Sequence, residues 1–267
     1  MPLIRIDQAD DLRIAGFRDI RERDLTGREG LFVAEGEVVL NVLASARSLC
    51  RPVALLIDAK RVASLAGPIE RLGPDVPVYT ADPAVLEAIA GFHLHRGILA
   101  LGEKPPPQTL DGVLGRMGPE AVVVMACGIG NHDNMGGLFR NAAAFGAAAV
   151  LLDRQCCDPF YRKAIRVSVG AVLRTPMAVD LDALAAVEAL ETAGFTVLAL
   201  TPGATASLEA APRGGRIAIV LGPEGPGLSE AVIARCRPVA IPMSGGFDSL
   251  NVSVASGIAL HHFTRQA

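Results

Sequence analysis

The sequence has no tryptophan, and aromatic residues make up only 4% of its 267 positions. A protein that stacks successive bases on a row of aromatic side chains needs more of them, so this class of nucleic-acid binder is excluded. An excess of one charge is also missing, because 25 lysines and arginines face 28 aspartates and glutamates. The chain is therefore not a histone-like polycation, although its net charge of −3 is compatible with a local basic surface.

Cysteines are few and odd in number, and no two of the five are separated by two residues. A structural zinc site normally uses such spaced pairs, and a disulfide framework normally has an even number of cysteines. Long hydrophobic runs are absent too, since the longest apolar stretch, 142–152, is too short to span a bilayer. We therefore expect reduced thiols, no metal, no membrane segment and a cytoplasmic protein.

A run of three prolines at 105–107 predicts a boundary between two domains, because prolines fit neither a helix interior nor a central strand. We expect one domain over residues 1–104, a linker over 105–110 and a second domain over 111–267. Apolar residues make up 51% of the chain, enough for a packed core in each domain.

Strand-like and helix-like segments alternate in both halves, which predicts a small α/β domain first and a larger one after the linker. The buried strands predicted in the second half are 121–126, 147–152, 196–200, 217–221 and 239–241. Helix-like stretches lie between and after them, at 137–145, 181–193, 229–236 and 252–263. This alternation predicts a parallel sheet covered on both faces, with ligands bound by loops at the carboxyl ends of the strands.

Three loops that follow predicted strands, 128–140, 221–229 and 241–253, combine glycine with polar side chains. Glycine allows the backbone to approach a ligand closely. A nucleotide-binding oxidoreductase is one alternative, but the glycines of the second loop lack the G-x-G-x-x-G spacing and no phosphate-loop lysine follows. Each loop alone could be an ordinary turn, whereas the three in this order are a stronger signal.

Together these loops resemble the motifs of the SpoU/TrmH family of RNA ribose 2′-O-methyltransferases, in the SPOUT superfamily. The matching stretches are Asn134-x-Gly136-x-x-x-Arg140, then Leu221-Gly222-x-Glu224-Gly225-x-Gly227, and finally Ser249-Leu250-Asn251-Val252-Ser253. The chain departs from the family before Asn134, where it has Asn131-His132-Asp133 in place of Asp-Pro. Residues 1–104 resemble the ribosomal-protein-like α/β domain that binds the RNA substrate and often precedes the catalytic domain, which residues 111–267 resemble.

The resemblance implies a fold, a cofactor and partners. The fold is α/β, with a deep trefoil knot in the C-terminal parallel-sheet domain. The cofactor is S-adenosylmethionine, the substrate is rRNA or tRNA, and the protein is a homodimer through its C-terminal domain with the site at the interface. The alternative class is a non-catalytic RNA-binding or ribosome-assembly protein on the same fold.

The resemblance also assigns residues. The catalytic group comprises Arg140, Asn134, Glu224, Ser249 and Asn251. Cofactor contacts are implied at Leu200, Thr201, Gly203, Gly222, Ile241, Met243 and Leu250. Arg140 is assigned to activation of the ribose hydroxyl, but arginine hardly releases its proton, so stabilisation of a developing alkoxide is at least as plausible. Structural roles remain open: an ion pair for Arg140, and turns or caps for the asparagines.

Two basic runs are candidates for RNA contact. The first consists of Arg162, Lys163, Arg166 and Arg174, and the second of Arg13, Arg18, Arg21, Arg23 and Arg28. Such runs usually form solvated helix faces, whereas in an RNA enzyme they bind phosphates. We expect RNA contact for the first run and leave the second open.

Overall fold

The computed structural model describes residues 3–18, 30–91, 97–245 and 248–264. The chain divides into two compact units, the first made of Met1–Pro105 with Asp158–Arg174, and the second of Pro106–Cys157 with Thr175–Ala267. One break therefore falls within the proline run. In the described ranges, no helix is long and apolar enough to cross a membrane.

The first unit is built on a five-stranded mixed sheet in the order β1-β4-β3-β5-β2. Its strands are β1 (Leu3–Arg5), β2 (Leu31–Glu35), β3 (Arg51–Asp58), β4 (Val78–Ala81) and β5 (Ile98–Glu103). A 3₁₀-helix (Leu12–Phe17) and the helices α1 (Glu37–Leu43), α2 (Ala66–Leu72) and α3 (Pro83–Ala90) complete it before the prolines. Strand β5 runs antiparallel to both β2 and β3, while β4 is parallel to β1 and β3.

The second unit contains a six-stranded sheet in the order β11-β9-β10-β6-β7-β8. The strands are β6 (Val122–Ala126), β7 (Ala149–Asp153), β8 (Met177–Leu181), β9 (Phe195–Leu200), β10 (Arg216–Leu221) and β11 (Arg237–Val239). The helices of the second half are α4 (Leu110–Leu114), α5 (His132–Phe145), α6 (Arg162–Val167), α7 (Ala183–Thr192), α8 (Glu230–Arg235) and α9 (Val252–Thr264). Every neighbouring pair of strands is parallel, so the predicted parallel sheet is confirmed.

Helix α6 belongs to the first unit, although the sequence assigned its residues to the second domain. Its segment is held there by apolar and charged contacts. The ring of Phe160 lies 5.4 Å from that of Phe32, and the Leu49 amide donates to the Leu173 carbonyl at 2.8 Å. The predicted domain 111–267 is therefore interrupted by a segment whose packing partners lie before the linker.

The parallel sheet places the functional loops along one edge, because all its strands point the same way. Strand β6 leads into the loop before α5, and β9 and β10 end at Leu200 and Leu221. Helix α9 packs against α5, and Gly137 permits the close approach, since a Cβ there would lie 2.6 Å from the Cβ of Ser253. This contact brings the first and third sequence motifs together.

Candidate active site

A cleft of about 270 Å³ opens at the carboxyl ends of β9 and β10, in the second unit. Six of the seven residues predicted to hold the cofactor line it: Leu200, Thr201, Gly222, Ile241, Met243 and Leu250. The seventh, Gly203, is not among the lining residues, whereas its neighbour Pro202 is. Three nonadjacent stretches of sequence thus meet around one cavity.

Other lining residues escaped the sequence reasoning, among them Pro223, Leu228, Asp248 and Val252. Each is close in sequence to a residue that was predicted, so the motifs located the loops without identifying every side chain that faces the cavity. Strand β11 also ends at Val239, earlier than predicted, which leaves Ile241 in the loop that lines the cleft.

Gly222 shapes the wall of the cleft. A Cβ added at Gly222 would lie 2.5 Å from the Leu228 amide nitrogen and 2.6 Å from the Gly227 carbonyl carbon. Real Cβ atoms do not approach backbone so closely, so the loop can fold back on itself only with glycine here. The fold-back leaves little room for a side chain and keeps main-chain groups close to the cavity.

The lining fits S-adenosylmethionine, the cofactor that the motifs imply. Leucine, isoleucine, methionine and valine side chains supply an apolar surface suited to adenine. Two carboxylates, Glu224 and Asp248, line the same cleft and favour a positively charged ligand. S-adenosylmethionine carries both an adenine and a cationic sulfur, so the apolar lining and the two carboxylates match the chemistry of this cofactor.

Beside the cleft lies a hydrogen-bonded group that we call the Asn134–Glu224–Asn251 cluster. The Asn251 Nδ2 donates to Asn134 Oδ1 at 2.8 Å and to Glu224 Oε1 at 2.7 Å. The Asn251 Oδ1 in turn accepts from the amide and hydroxyl of Ser253, at 3.0 and 2.7 Å. Asn251 therefore bridges Asn134 and Glu224, and it also accepts the hydrogen bonds that Ser253 donates at the start of α9. Ser249 lines the neighbouring cleft.

Asn134 is fixed by the way α5 begins. The Asn131 side chain caps this helix, accepting from the amides of Asp133 at 2.8 Å and Asn134 at 3.4 Å. Asn134 itself is only 7% exposed. The departure from the family's Asp-Pro thus supplies a strong N-cap, and the helix still presents Asn134 to the cluster.

A residue that the sequence did not single out, Asp153, holds the loop between β6 and α5. Its buried carboxylate accepts from the Gly128 amide at 2.9 Å and the Gln155 amide at 3.0 Å. The Cys157 amide also donates to the Ile129 carbonyl at 2.9 Å. In the sequence Asp153 only ended an apolar run, and nothing there indicated its contact with the loop.

Arg140 stands apart from the cluster. It is exposed on α5, and no hydrogen bond or ion pair to it occurs in the described part of the chain, which argues against the structural ion-pair alternative. Six residues separate it from Asn134, a rotation of about 240° around the helix at about 100° per residue. Within one chain, Glu224 bonds to Asn251, and no hydrogen bond or ion pair between Glu224 and Arg140 occurs among the described residues.

The predicted RNA-binding residues lie in the first unit. The Arg162 Nη1 is 2.9 Å from Glu35 Oε2, while Lys163, Arg166 and Arg174 are exposed. In the second basic run, Arg13 pairs with Asp11 and holds the pKa of that carboxyl at about 2. Arg21, Arg23 and Arg28 lie outside the described residues. Across the described ranges, no group of three or more side chains able to bind a metal is present.

Comparison with known proteins gives concordant matches. The model of the SpoU rRNA Methylase family matches residues 121–261. An uncharacterized tRNA/rRNA methyltransferase of Mycobacterium tuberculosis (strain ATCC 25618 / H37Rv) is 38% identical over 96% of this chain and 90% of its own length. A 23S rRNA (guanosine-2′-O-)-methyltransferase of a Burkholderia species is 32% identical over 70% of this chain and 76% of its own length.

A crystal structure shares the fold. The AdoMet-bound rRNA methyltransferase from Sinorhizobium meliloti superposes with a TM-score of 0.79 over 97% of each chain, at 20% sequence identity. Because the superposition covers nearly the whole of both chains, the likeness extends over both units rather than over the second alone.

Proposed function

Since this chain belongs to the SpoU rRNA methylase family, we propose that it transfers the methyl group of S-adenosylmethionine to a ribose 2′-hydroxyl of rRNA or tRNA. It is an S-adenosylmethionine-dependent RNA methyltransferase. The observation that carries the proposal is the position of the Asn134–Glu224–Asn251 cluster. Asn251 lies between Leu250 and Val252, which both line the cleft, so the cluster adjoins the cofactor site.

The bound cofactor supplies a methyl group on a cationic sulfur and leaves as a neutral thioether. The chain must hold the ribose in line with that methyl and stabilise its oxygen as the proton departs. We assign orientation of the ribose to Asn134, Asn251 and Ser249. Glu224 is the carboxylate of the cluster and the group there that can take the hydroxyl proton.

Arg140 stabilises the negative charge that develops on the ribose oxygen and on a neighbouring phosphate. It retains its proton in water and in proteins, which makes electrostatic stabilisation a better role than that of a base. Arg140 lies about 240° around α5 from Asn134. We therefore propose that it stabilises this charge in the site of a second chain, which meets the first at the α5 surface.

We therefore propose a homodimer through the second unit. Val254 and Ile258, four residues apart on α9, are 50% and 39% exposed, and α5 packs against α9. Such apolar exposure, on the helix that packs against the helix of Arg140, supports an interface in which the arginine of one subunit reaches the site of the other. The deep trefoil knot, the cofactor contact at Gly203 and a cytoplasmic location are further parts of the proposal, supported by the family.

We assign RNA selection to the first unit and contact with RNA phosphates to the exposed basic residues of segment 158–174, Lys163, Arg166 and Arg174. The catalytic motifs all lie after the proline run, whereas this basic segment packs with the first unit. That separation supports one unit for substrate recognition and another for chemistry.

The test uses full-length protein, S-adenosylmethionine with a labelled methyl group, and rRNA or tRNA prepared from cells that lack the protein. A 2′-O-methyl group blocks alkaline cleavage, so the label should be recovered in alkali-resistant dinucleotides. Label recovered only in mononucleotides would indicate base methylation. No label in either RNA would favour the non-catalytic RNA-binding alternative.

A further inference from the structure

The segment 158–174 leaves the second unit after β7 and returns to it before β8. It carries four basic residues and a single acid, Asp158. The connection between two adjacent strands of the catalytic sheet has thus become part of the other unit. A segment of this charge raises the positive potential of the surface that carries it and attracts a polyanionic partner.

Two carboxylates of the described residues contact the segment and are engaged. Glu35, whose side chain is only 11% exposed, lies 2.9 Å from Arg162 and 3.9 Å from Arg166. Asp158 pairs with Lys104 at 2.8 Å. Glu35 lies closer to Arg162 than to Arg166, so the positive charge of Arg166 is only partly balanced.

The excess charge is exposed and extends beyond the segment. Lys163, Arg166 and Arg174 are exposed, and so is Arg47 on the turn after α1. That turn adjoins the segment, because the Leu49 amide donates to the Leu173 carbonyl. Within the described ranges, no carboxylate lies within ion-pair distance of Arg47 or Arg174. We call Arg47, Lys163, Arg166 and Arg174 the α6 surface.

We propose that the α6 surface binds the phosphate backbone of the RNA substrate, and that Arg162 is not one of its contacts. Arg162 and Glu35 instead are positioning residues, which hold the segment against β2. This inference rests on the proposed function and deepens it, because it adds Arg47 to the phosphate-binding residues and gives Arg162 a positioning role instead of a phosphate contact. Phosphate contacts fix the register of an RNA without reading its sequence, so the surface would dock the substrate rather than select the nucleotide.

The first experiment compares two double variants of the full-length protein in filter binding to labelled rRNA from cells that lack it. Arg166→Ala/Arg174→Ala removes two charges from the α6 surface. Arg5→Ala/Lys60→Ala removes two exposed basic side chains elsewhere, with Arg5 on β1, at the sheet edge opposite β2. We expect only the first pair to weaken binding, by about tenfold, and to reduce the slope of log K against log salt by about 1.4–1.8. Equal effects of both pairs, or no effect of the first, would overturn the proposal.

The second experiment asks whether Glu35 positions the segment or only reduces its positive charge. The two explanations predict opposite changes in RNA affinity for Glu35→Gln. Glu35→Gln adds one unit of positive charge, so a purely electrostatic surface would bind RNA more tightly. We expect several-fold weaker binding, because Arg162 and Arg166 lose the carboxylate that holds them. Unchanged or tighter binding contradicts the positioning role. Arg162→Lys gives a second result if Glu35→Gln does not fold, since it preserves charge and should also weaken binding.

Failure of this inference is distinguishable from failure of the proposed function. Arg166→Ala/Arg174→Ala should bind S-adenosylmethionine like the unaltered protein and, at saturating RNA, transfer methyl groups at an unchanged kcat with a raised KM. If the unaltered protein methylates no RNA, the proposed function fails, yet the binding comparison still decides whether the α6 surface takes RNA.

Discussion

Replacing Asn251 by aspartate separates its two roles in the Asn134–Glu224–Asn251 cluster. Asn251→Asp keeps an oxygen that can accept from the Ser253 amide at the start of α9. It removes the Nδ2 group that donates to Asn134 Oδ1 at 2.8 Å and to Glu224 Oε1 at 2.7 Å. A carboxylate then faces an amide oxygen and another carboxylate, so the cluster loses its bridge.

The expected effect follows from these two contacts. A neutral hydrogen bond contributes about 0.5–1.5 kcal/mol and one to a charged group about 1.5–3 kcal/mol. Glu224 is exposed, so water reduces the second contribution to the lower end of its range. The sum is about 2–3 kcal/mol, which corresponds to a fall in kcat of about 30- to 150-fold at about 1.4 kcal/mol per tenfold.

Asn141 offers a matched control on the same pair of helices. Its Nδ2 donates to the Ser253 carbonyl at 2.5 Å and the Ser256 hydroxyl at 3.0 Å. Asn141→Asp is therefore the same chemical change with a similar loss of hydrogen bonds, but outside the cluster. We expect it to lower the melting temperature while leaving kcat within about threefold of the unaltered protein.

The assay is transfer of labelled methyl to rRNA or tRNA at saturating substrate, with cofactor affinity from calorimetry and stability from thermal unfolding. Asn251→Asp should remain folded and bind S-adenosylmethionine, yet lose turnover. If both aspartate variants lose turnover equally, Asn251 acts through stability alone. If Asn251→Asp retains turnover, the assignment of the cluster to the active site is wrong.

Four other predictions follow from the same structure. Gly222→Ala should weaken cofactor binding in calorimetry by at least about tenfold because its Cβ meets backbone at 2.5 Å, whereas Gly203→Ala, with nothing within 4 Å, should not. Arg140→Ala should stay folded and bind cofactor normally but lose methyl transfer by about 10²-fold. Burial raises the pKa of Cys127 to about 12, so its thiol should contribute about 1.4 kcal/mol per pH unit to the fall in the free energy of unfolding above pH 9, measured as the difference in slope between the unaltered protein and Cys127→Ala in urea titrations. A truncated chain starting at Gln108 should melt earlier than the full chain, because segment 158–174 loses the unit it packs against.

The sequence predicted the strands that form the centre of the catalytic sheet, since continuous apolar runs mark buried parallel strands. It missed β8, an edge strand in which Val179 and Asp180 are exposed and the apolar run, Met177-Ala178-Val179, is only three residues long. It also assigned α6 to the wrong unit. The error has a physical reason. The contacts of Phe160 with Phe32 and of Arg162 with Glu35 join residues more than a hundred positions apart, and no local sequence pattern indicates them.

The sequence predicted the loops of the candidate site but not the contacts between them. The motif residues located the loops, and six cofactor positions line one cleft as expected. The role of Asp153 could not be read from sequence, because its partner Gly128 is 25 positions away and carries no side chain. The separation of Arg140 from Asn134 around α5 could have been read from their six-residue spacing, whereas the packing of α5 against α9 could not.

The central claim is tested most directly by mapping ribose methylation at nucleotide resolution in rRNA and tRNA from cells with and without this protein. The account predicts loss of 2′-O-methylation at a specific nucleotide when the protein is absent. It also predicts restoration by the unaltered protein but not by Asn251→Asp. Identical ribose methylation in both cell types, or full restoration by Asn251→Asp, would contradict it.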